Sequence, residues 1–351
     1  MLVSSCHGQT TTHSRTSDQF VLPVITGDTV KETGNNIMVI YQDKKNNYWF
    51  GSWQDGIYKY DGVNIIHFTT KHGLPNNRID DIIEDKYGNI YFNTIKGICK
   101  YNGQTLTTLP EAQYGVNFWK LSADDLWFKS SEFSGHVYRY DGQQLYRLKL
   151  PTHPLGEDFM LKHPTAPSPY AVYCIYQDSK RNVWFGTAVL GALRYDGRTF
   201  DWITETDVTE LHDGPANGVR SILEDKDGYF WFNSDYRYAI YDSLTLAKEK
   251  PDGLFYRRIK SIGSLDGKKG GILNEYLSTT QDNHHHLWFV TYRSGVWKYD
   301  GERVIPYPVK VDSKDIPLFF IHKDHQGTLW LGTHENGVFK FNGQTFEEFR
   351  P

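Results

Sequence analysis

Asn47-Tyr48-Trp49-Phe50-Gly51-Ser52 is written into this chain seven times in varied form. It returns around Tyr91, Trp127, Trp184, Trp231, Trp288 and Trp330, as in Val183-Trp184-Phe185-Gly186-Thr187 and Leu329-Trp330-Leu331-Gly332-Thr333. The copies stand 42, 36, 57, 47, 57 and 42 residues apart. Periods in this range mark solenoids or propellers. Six of the seven copies have an Asp six residues before the aromatic: Asp43, Asp85, Asp178, Asp225, Asp282 and Asp324. Six are followed by a Gly and then by an aromatic-Asp/Asn-Gly turn such as Tyr60-Asp61-Gly62; the fifth copy degenerates to Tyr241-Asp242-Ser243.

Each unit contains four short β-prone runs separated by Asn, Asp and Gly turns, the signature of successive hairpins. In the first unit these are Ile37 to Gln42, the aromatic run, Ile57 to Tyr60 and Ile65 to Phe68. Helical periodicity of any length is missing. Four antiparallel strands per unit make one propeller blade. The fold class is therefore all-β, a seven-bladed β-propeller of four-stranded antiparallel blades. The blades are expected near 36–72, 76–110, 114–150, 170–206, 217–250, 272–308 and 315–350. The aromatic strand is apolar on both faces, as a strand between two sheets must be. The small residue after it (Gly51, Gly186, Gly332) leaves room for a neighbour. The repeated Trp and Phe residues thus belong to the core.

Gly73-Leu74-Pro75, then Ile79 through Glu84-Asp85, then Gly88-Asn89-Ile90-Tyr91-Phe92 resembles the two-component regulator propeller repeat. The resemblance runs from about residue 35 to 350 and implies the fold of the extracellular sensor regions of bacterial hybrid sensor kinases. No kinase, membrane-spanning or DNA-binding pattern follows the repeats up to Pro351, so a signalling role calls for a partner, a membrane sensor kinase or a surface complex.

Residues 1–19 are expected to be a lipobox-like start and flexible tether, and 20–351 a single propeller domain. Val3-Ser4-Ser5-Cys6 is similar to a bacterial lipobox, in which Cys6 would be lipidated, although the basic and apolar segments that should precede it are missing. The implied location is the periplasm, outer membrane or cell surface, with membrane contact only through that anchor. No run of 18 apolar residues is present. A net charge of −4 lacks the basic stripe of a nucleic-acid binder. Cys99 and Cys174 fall in strands of different blades and are expected to be buried thiols. Phe20 to Ile25 is a candidate extra strand, paired with the last blade to close the ring.

Strand parity places all Gly loops and interblade connections on one face, the top, and the Asp turns on the other. Three insertions, 151–169, 205–216 and 251–271, also belong to the top, where binding loops concentrate. The top positions of blades six, seven and one hold Tyr292-Arg293, His334-Glu335 and Trp53-Gln54. The position eight before the turn Asp is expected to lie near the central channel; on the same arc it supplies Asn35 and Asn274, with Glu275 beside the latter. These nine residues form the candidate ligand site.

His284-His285-His286 falls in a bottom turn and cannot aim three rings at one ion. Asp225-Lys226-Asp227-Gly228 lacks the full series of a calcium loop. No metal, cofactor or catalytic residue is assigned. The expected function is recognition of an oligosaccharide or peptide by an exported sensor-type propeller. One alternative is a carbohydrate-active lyase or hydrolase, or a virginiamycin-B-lyase-like enzyme, drawing on His334, Tyr292 and Arg293. Another is a protein-interaction scaffold.

Overall fold

The computed structural model describes residues 25–115, 118–132, 134–204, 208, 218–233, 236–241, 255–260 and 276–351. Seven sheets stand around a central channel as propeller blades. In blade one the strands Ile37–Gln42, Tyr48–Ser52, Ile57–Tyr60 and Ile65–Phe68 run from the channel outward in chain order. The first strands of the other blades are Ile79–Glu84, Val172–Gln177, Ile222–Glu224, Tyr276–Gln281 and Leu318–Lys323, with blade three built differently.

The recurring Asp explains its own spacing. Asp43 Oδ1 accepts the amides of Lys45 (2.9 Å) and Asn47 (2.8 Å), and its Oδ2 accepts the Trp49 indole N–H at 2.8 Å. One carboxylate thus closes the bottom turn and satisfies the only polar atom of a buried Trp side chain. The same clamp joins Asp178 to Trp184, Asp225 to Trp231, Asp282 to Trp288 and Asp324 to Trp330 at 2.8–3.0 Å, and Asp85 to the Tyr91 hydroxyl at 3.2 Å. His286 lies in such a turn, with its Nδ1 3.0 Å from Asp282 Oδ2.

These clamps carry a pH prediction. At Asp85, Asp282 and Asp324 burial pushes the carboxyl pKa up, but the converging hydrogen bonds outweigh it and the net shift is downward. A lowered folded-state pKa contributes stability above the ordinary Asp value of 3.8 that is lost as pH falls through the folded value. The melting temperature should therefore fall on acidification below the ordinary value, and a Asp324→Asn variant should show a shallower fall. Identical acid profiles for the two proteins would remove the clamp from the explanation.

In blades one, four and seven the Gly that follows the core pair of the aromatic strand is where blades touch. A Cβ on Gly186 would lie 2.4 Å from the Val219 carbonyl oxygen of blade five, and one on Gly332 would lie 2.5 Å from the Ile37 carbonyl oxygen of blade one. Ring closure uses this contact together with the amide of Gly337 donating to Asn35 O at 2.7 Å and the Tyr48 hydroxyl donating to Asp324 at 2.8 Å. Blade seven is completed by its own last strand, Phe346–Glu348. Residues 20–24 of the expected closing strand lie outside the described residues. The described strand Asp28–Val30 pairs antiparallel with Ile65–Phe68 on the outer edge of blade one, not with blade seven.

Two further expectations are corrected. The fourth strand of blade five is Phe255–Lys260, inside the segment assigned to an insertion. It pairs over its full length with Tyr236–Tyr241, a run of β-prone residues that outcompetes the polar stretch ending at 250. The 151–169 insertion contains a helix, Pro154–Lys162, started by Pro154 and capped by His153, whose side chain accepts the Leu155 amide.

Blade three has no innermost strand among the described residues. Its strands are Leu126–Lys129, His136–Tyr140 and Leu145–Lys149, and the fourth place is taken at the outer edge by Gln113–Tyr114, parallel to Leu145–Lys149. Further on, Phe118 and Trp119 pack into the core between blades three and four, and Leu121 packs near Gly197 at a bottom turn of blade four. The aromatic strand therefore faces the channel. Its Lys129 carbonyl accepts the side-chain amide of Asn93 at 2.9 Å. Asn93 occupies, in blade two, the position that is Gly in blades one, four and seven: with no first strand to press against, the site holds a side chain that caps the orphan carbonyl.

Candidate functional site

Five first strands carry a one-residue register shift near their top ends, between Ile37 and Val39, Ile79 and Asp81, Val172 and Cys174, Tyr276 and Ser278, and Leu318 and Phe320. The skipped residues are Met38, Asp80, Tyr173, Leu277 and Phe319. All five line one cavity of about 360 Å3 in the channel, with Arg220 at the matching position of blade five. Such an irregularity re-aims a side chain that an ordinary strand would bury between sheets. One variable residue per blade thus forms a ring, and blade three, lacking the strand, contributes Lys129, Ser130 and Ser131.

The ring has two halves. Blades six, seven and one present Leu277, Phe319 and Met38. Blades two to five present Asp80 and Asp81, Lys129, Tyr173 and Arg220. At the join the Arg78 guanidinium lies 3.6 Å from the centroid of the Trp53 ring, and its Nε donates to Asp80 Oδ1 at 2.8 Å. The Ser131 hydroxyl donates to the other oxygen of Asp80. Lys129 Nζ donates to the Tyr173 carbonyl at 3.4 Å, and the Arg220 guanidinium sits 4.3 Å from the centre of the Tyr173 ring.

Burial raises the pKa of Asp81, Asp80 adds to the rise, and Lys129 pulls it back. Burial also pushes the Cys174 thiol up to about 12 against the opposing charges of Lys129 and Arg220. A thiol held there is protonated at neutral pH and is no nucleophile. Cys99 is buried and reduced as well. Among the described residues no group of three or more His, Cys, Asp or Glu side chains could hold a metal ion.

Of the nine residues expected to bind ligand, the seven described ones separate. Trp53 lines the channel cavity, turned to blade two through Arg78. Tyr292, Arg293, His334 and Glu335 come together on the rim between blades six and seven. The Tyr292 and His334 rings meet edge to face at 6.3 Å, Arg293 lies 5.5 Å from the Tyr292 ring, and His334 Nδ1 is 3.8 Å from Glu335. None of these four lines the cavity. Gln54 is exposed, and Asn35 is exposed with its carbonyl tied to Gly337. Asn274 and Glu275 lie outside the described residues, as does Cys6.

Sequence reasoning missed the ring residues because it placed the channel position eight before the turn Asp, whereas the ring lies five before it. A signal existed: that position reads Met, Asp, Tyr, Arg, Leu and Phe within an otherwise repetitive unit.

The family model for the two component regulator propeller matches residues 31–54, 73–96, 167–188 and 213–236. No curated protein matches the sequence significantly. Among solved structures, the extracellular domain of BT4673 from B. thetaiotaomicron, described as a one-component or hybrid two-component system, is 20% identical with a TM-score of 0.58. The match covers 89% of this chain and 39% of that one, so the chain spans about two fifths of that domain's length. Virginiamycin B lyase from Staphylococcus aureus is 15% identical with a TM-score of 0.61, over 89% of this chain and 96% of the lyase. YCF48 bound to D1 peptide is 10% identical with a TM-score of 0.53, over 90% and 96%. At these identities the likeness is one of fold. Among the described residues no helix is long and apolar enough to cross a membrane. Four of the seven blades, the first, second, fourth and fifth, thus carry matches to the two component regulator propeller model.

Proposed function

We propose that this propeller is an exported recognition module that binds an oligosaccharide or peptide at the top of its channel and works with a signalling partner. The observation that carries the reading is the ring of unlike residues lining one cavity on an otherwise repetitive scaffold. A pocket of a few hundred Å3 with an apolar wall and a few convergent polar groups is the usual form of a small-ligand site. The Trp53 face offers a stacking surface for a sugar or apolar side chain. Similarity to the extracellular domain of BT4673 supports export and a sensor role. Cys6 is the proposed point of lipid attachment.

A thermal-shift screen of glycans and peptides tests this. A ligand at 100 times its Kd should add about 2.7 kcal/mol of stability. Trp53→Ala should weaken that ligand about tenfold, or about 1.4 kcal/mol, without altering the melting temperature of the free protein. Binding that ignores Trp53→Ala yet is lost with Tyr292→Ala would move the site to the blade six–seven rim.

A further inference from the structure

We infer that the occupant of the channel cavity is an extended peptide, which pairs with blade three as its inner strand. The inference rests on the cavity reading above and decides between the two ligand classes.

Leu126–Lys129 is the channel-side edge of the blade-three sheet. It pairs with His136–Tyr140 on one side and with no strand among the described residues on the other. Other blades show what such an edge holds. The residues equivalent to Lys129 in blades one, four and seven are Gly51, Gly186 and Gly332, and they pair with the first strands of their blades through Val39, Cys174 and Phe320. The residues equivalent to Ser131 are Trp53, Ala188 and His334. Their amides donate to Asn36 O at 3.2 Å, Ala171 O at 2.8 Å and Pro317 O at 3.0 Å, each just ahead of the first strand. Backbone groups alternate between the two edges of a strand, so Lys129 and Ser131 face the same one. On it the Lys129 carbonyl accepts the Asn93 side chain, and the amides of Lys129 and Ser131 donate to no acceptor among the described residues.

Both residues line the cavity of about 360 Å3. Two backbone donors on one strand edge call for two carbonyl oxygens about 7 Å apart, which an extended peptide presents at every second residue. Sugar hydroxyls are not held to that spacing. Strand addition to an open edge is a recurring mode of peptide recognition, in which the main chain gives affinity and pockets for alternate side chains give specificity. The ring supplies such pockets: Asp80 and Asp81 stand on the blade-two side of the edge, and Tyr173 and Cys174 on the blade-four side. An edge inside the channel is closed to the sheet of a second propeller, because the first strands of the other blades surround it. A single strand entering from the top fits.

The experiment uses the full chain and synthetic peptides with the sequences of residues 35–43, 77–85, 170–178 and 316–324, which span the first strands of four other blades. Affinity is read by titration calorimetry, and amide hydrogen exchange is read at Lys129 and Ser131. In the free protein both amides should exchange fast. With at least one of these peptides bound, or one from the wider screen, they should slow by about tenfold or more. Two forms of the binding peptide, N-methylated at alternate residues in opposite phases, should differ. The phase whose methyls face Leu126–Lys129 should bind about tenfold more weakly or worse, and the other should keep its affinity. Slow exchange at both amides in the free protein would mean that the chain itself fills this edge, and would overturn the inference. So would binding that leaves the two amides unprotected, or equal behaviour of the two methylated forms. If no peptide binds while a glycan does, and that glycan is weakened by Trp53→Ala, the strand inference falls and the cavity reading stands. If neither peptides nor glycans bind, both fall. The exchange readings are made on the unmodified protein and need no variant to fold.

Discussion

Trp184→Ala is expected to cost about 3–5 kcal/mol and to lower the melting temperature sharply, as loss of a buried large aromatic does. Trp184 is fully buried, and its ring meets Phe230 at 4.8 Å and Phe232 at 5.5 Å in blade five. Truncation opens a void at the interface of two blades rather than within one, so little of it can be refilled by a local shift. The indole N–H also donates to Asp178 at 2.8 Å. Asp178→Ala should therefore cost less, about 1–3 kcal/mol, because it strips a buried donor of its acceptor but leaves the packing. Blade three shows that the clamp is dispensable: its copy has Leu121 in place of the Asp, and Trp127 Nε1 is buried without a hydrogen-bond partner among the described residues. Denaturant unfolding of both variants decides the ordering. An unchanged midpoint for Trp184→Ala would mean that the aromatic strand is not the core of the blade.

Gly332→Ala should destabilise the protein by about 1–3 kcal/mol through overpacking at the junction that closes the ring. The added methyl would sit 2.5 Å from the carbonyl oxygen of Ile37 and 3.2 Å from its carbonyl carbon, both backbone atoms that cannot rotate away. Blades seven and one would have to separate, straining the contacts between Gly337 and Asn35 and between Tyr48 and Asp324. Since no strand is exchanged between these blades among the described residues, side-chain and backbone contacts alone hold the junction. Gly62→Ala would differ in kind: it has nothing within 4 Å of the new methyl, and its cost would come from backbone strain at a φ of 99°. An unchanged melting temperature in Gly332→Ala would mean that the close approach at the junction is not limiting.

The blade count, the order of the strands and the core were legible because each is a local property repeated seven times. Trp49 and its counterparts announce a two-faced buried strand by composition alone, and the Asp six residues earlier marks the turn that the strand leaves. Blade three was readable in part: its copy follows the shortest spacing and lacks the Asp, and Asn93 replaces the small residue before it. What those signs meant, a strand moved from the channel to the outer edge, was not.

The sequence by itself determined a seven-bladed propeller whose Gly loops and interblade connections share one face, since hairpin parity and a periodic aromatic strand admit no other economical arrangement. Only the tertiary structure decided which residues meet on that face. A one-residue register shift turns Met38, Asp80, Tyr173, Leu277 and Phe319 into the channel, and a missing strand exposes Lys129 to it. In residue type the first shows only as a variable position five before the turn Asp and the second only as the Asp missing from the third copy, neither of which says where the chain goes. Both concern relations between segments far apart in the chain. The same holds for Trp53 beside Arg78 and for Tyr292 with His334 on the rim.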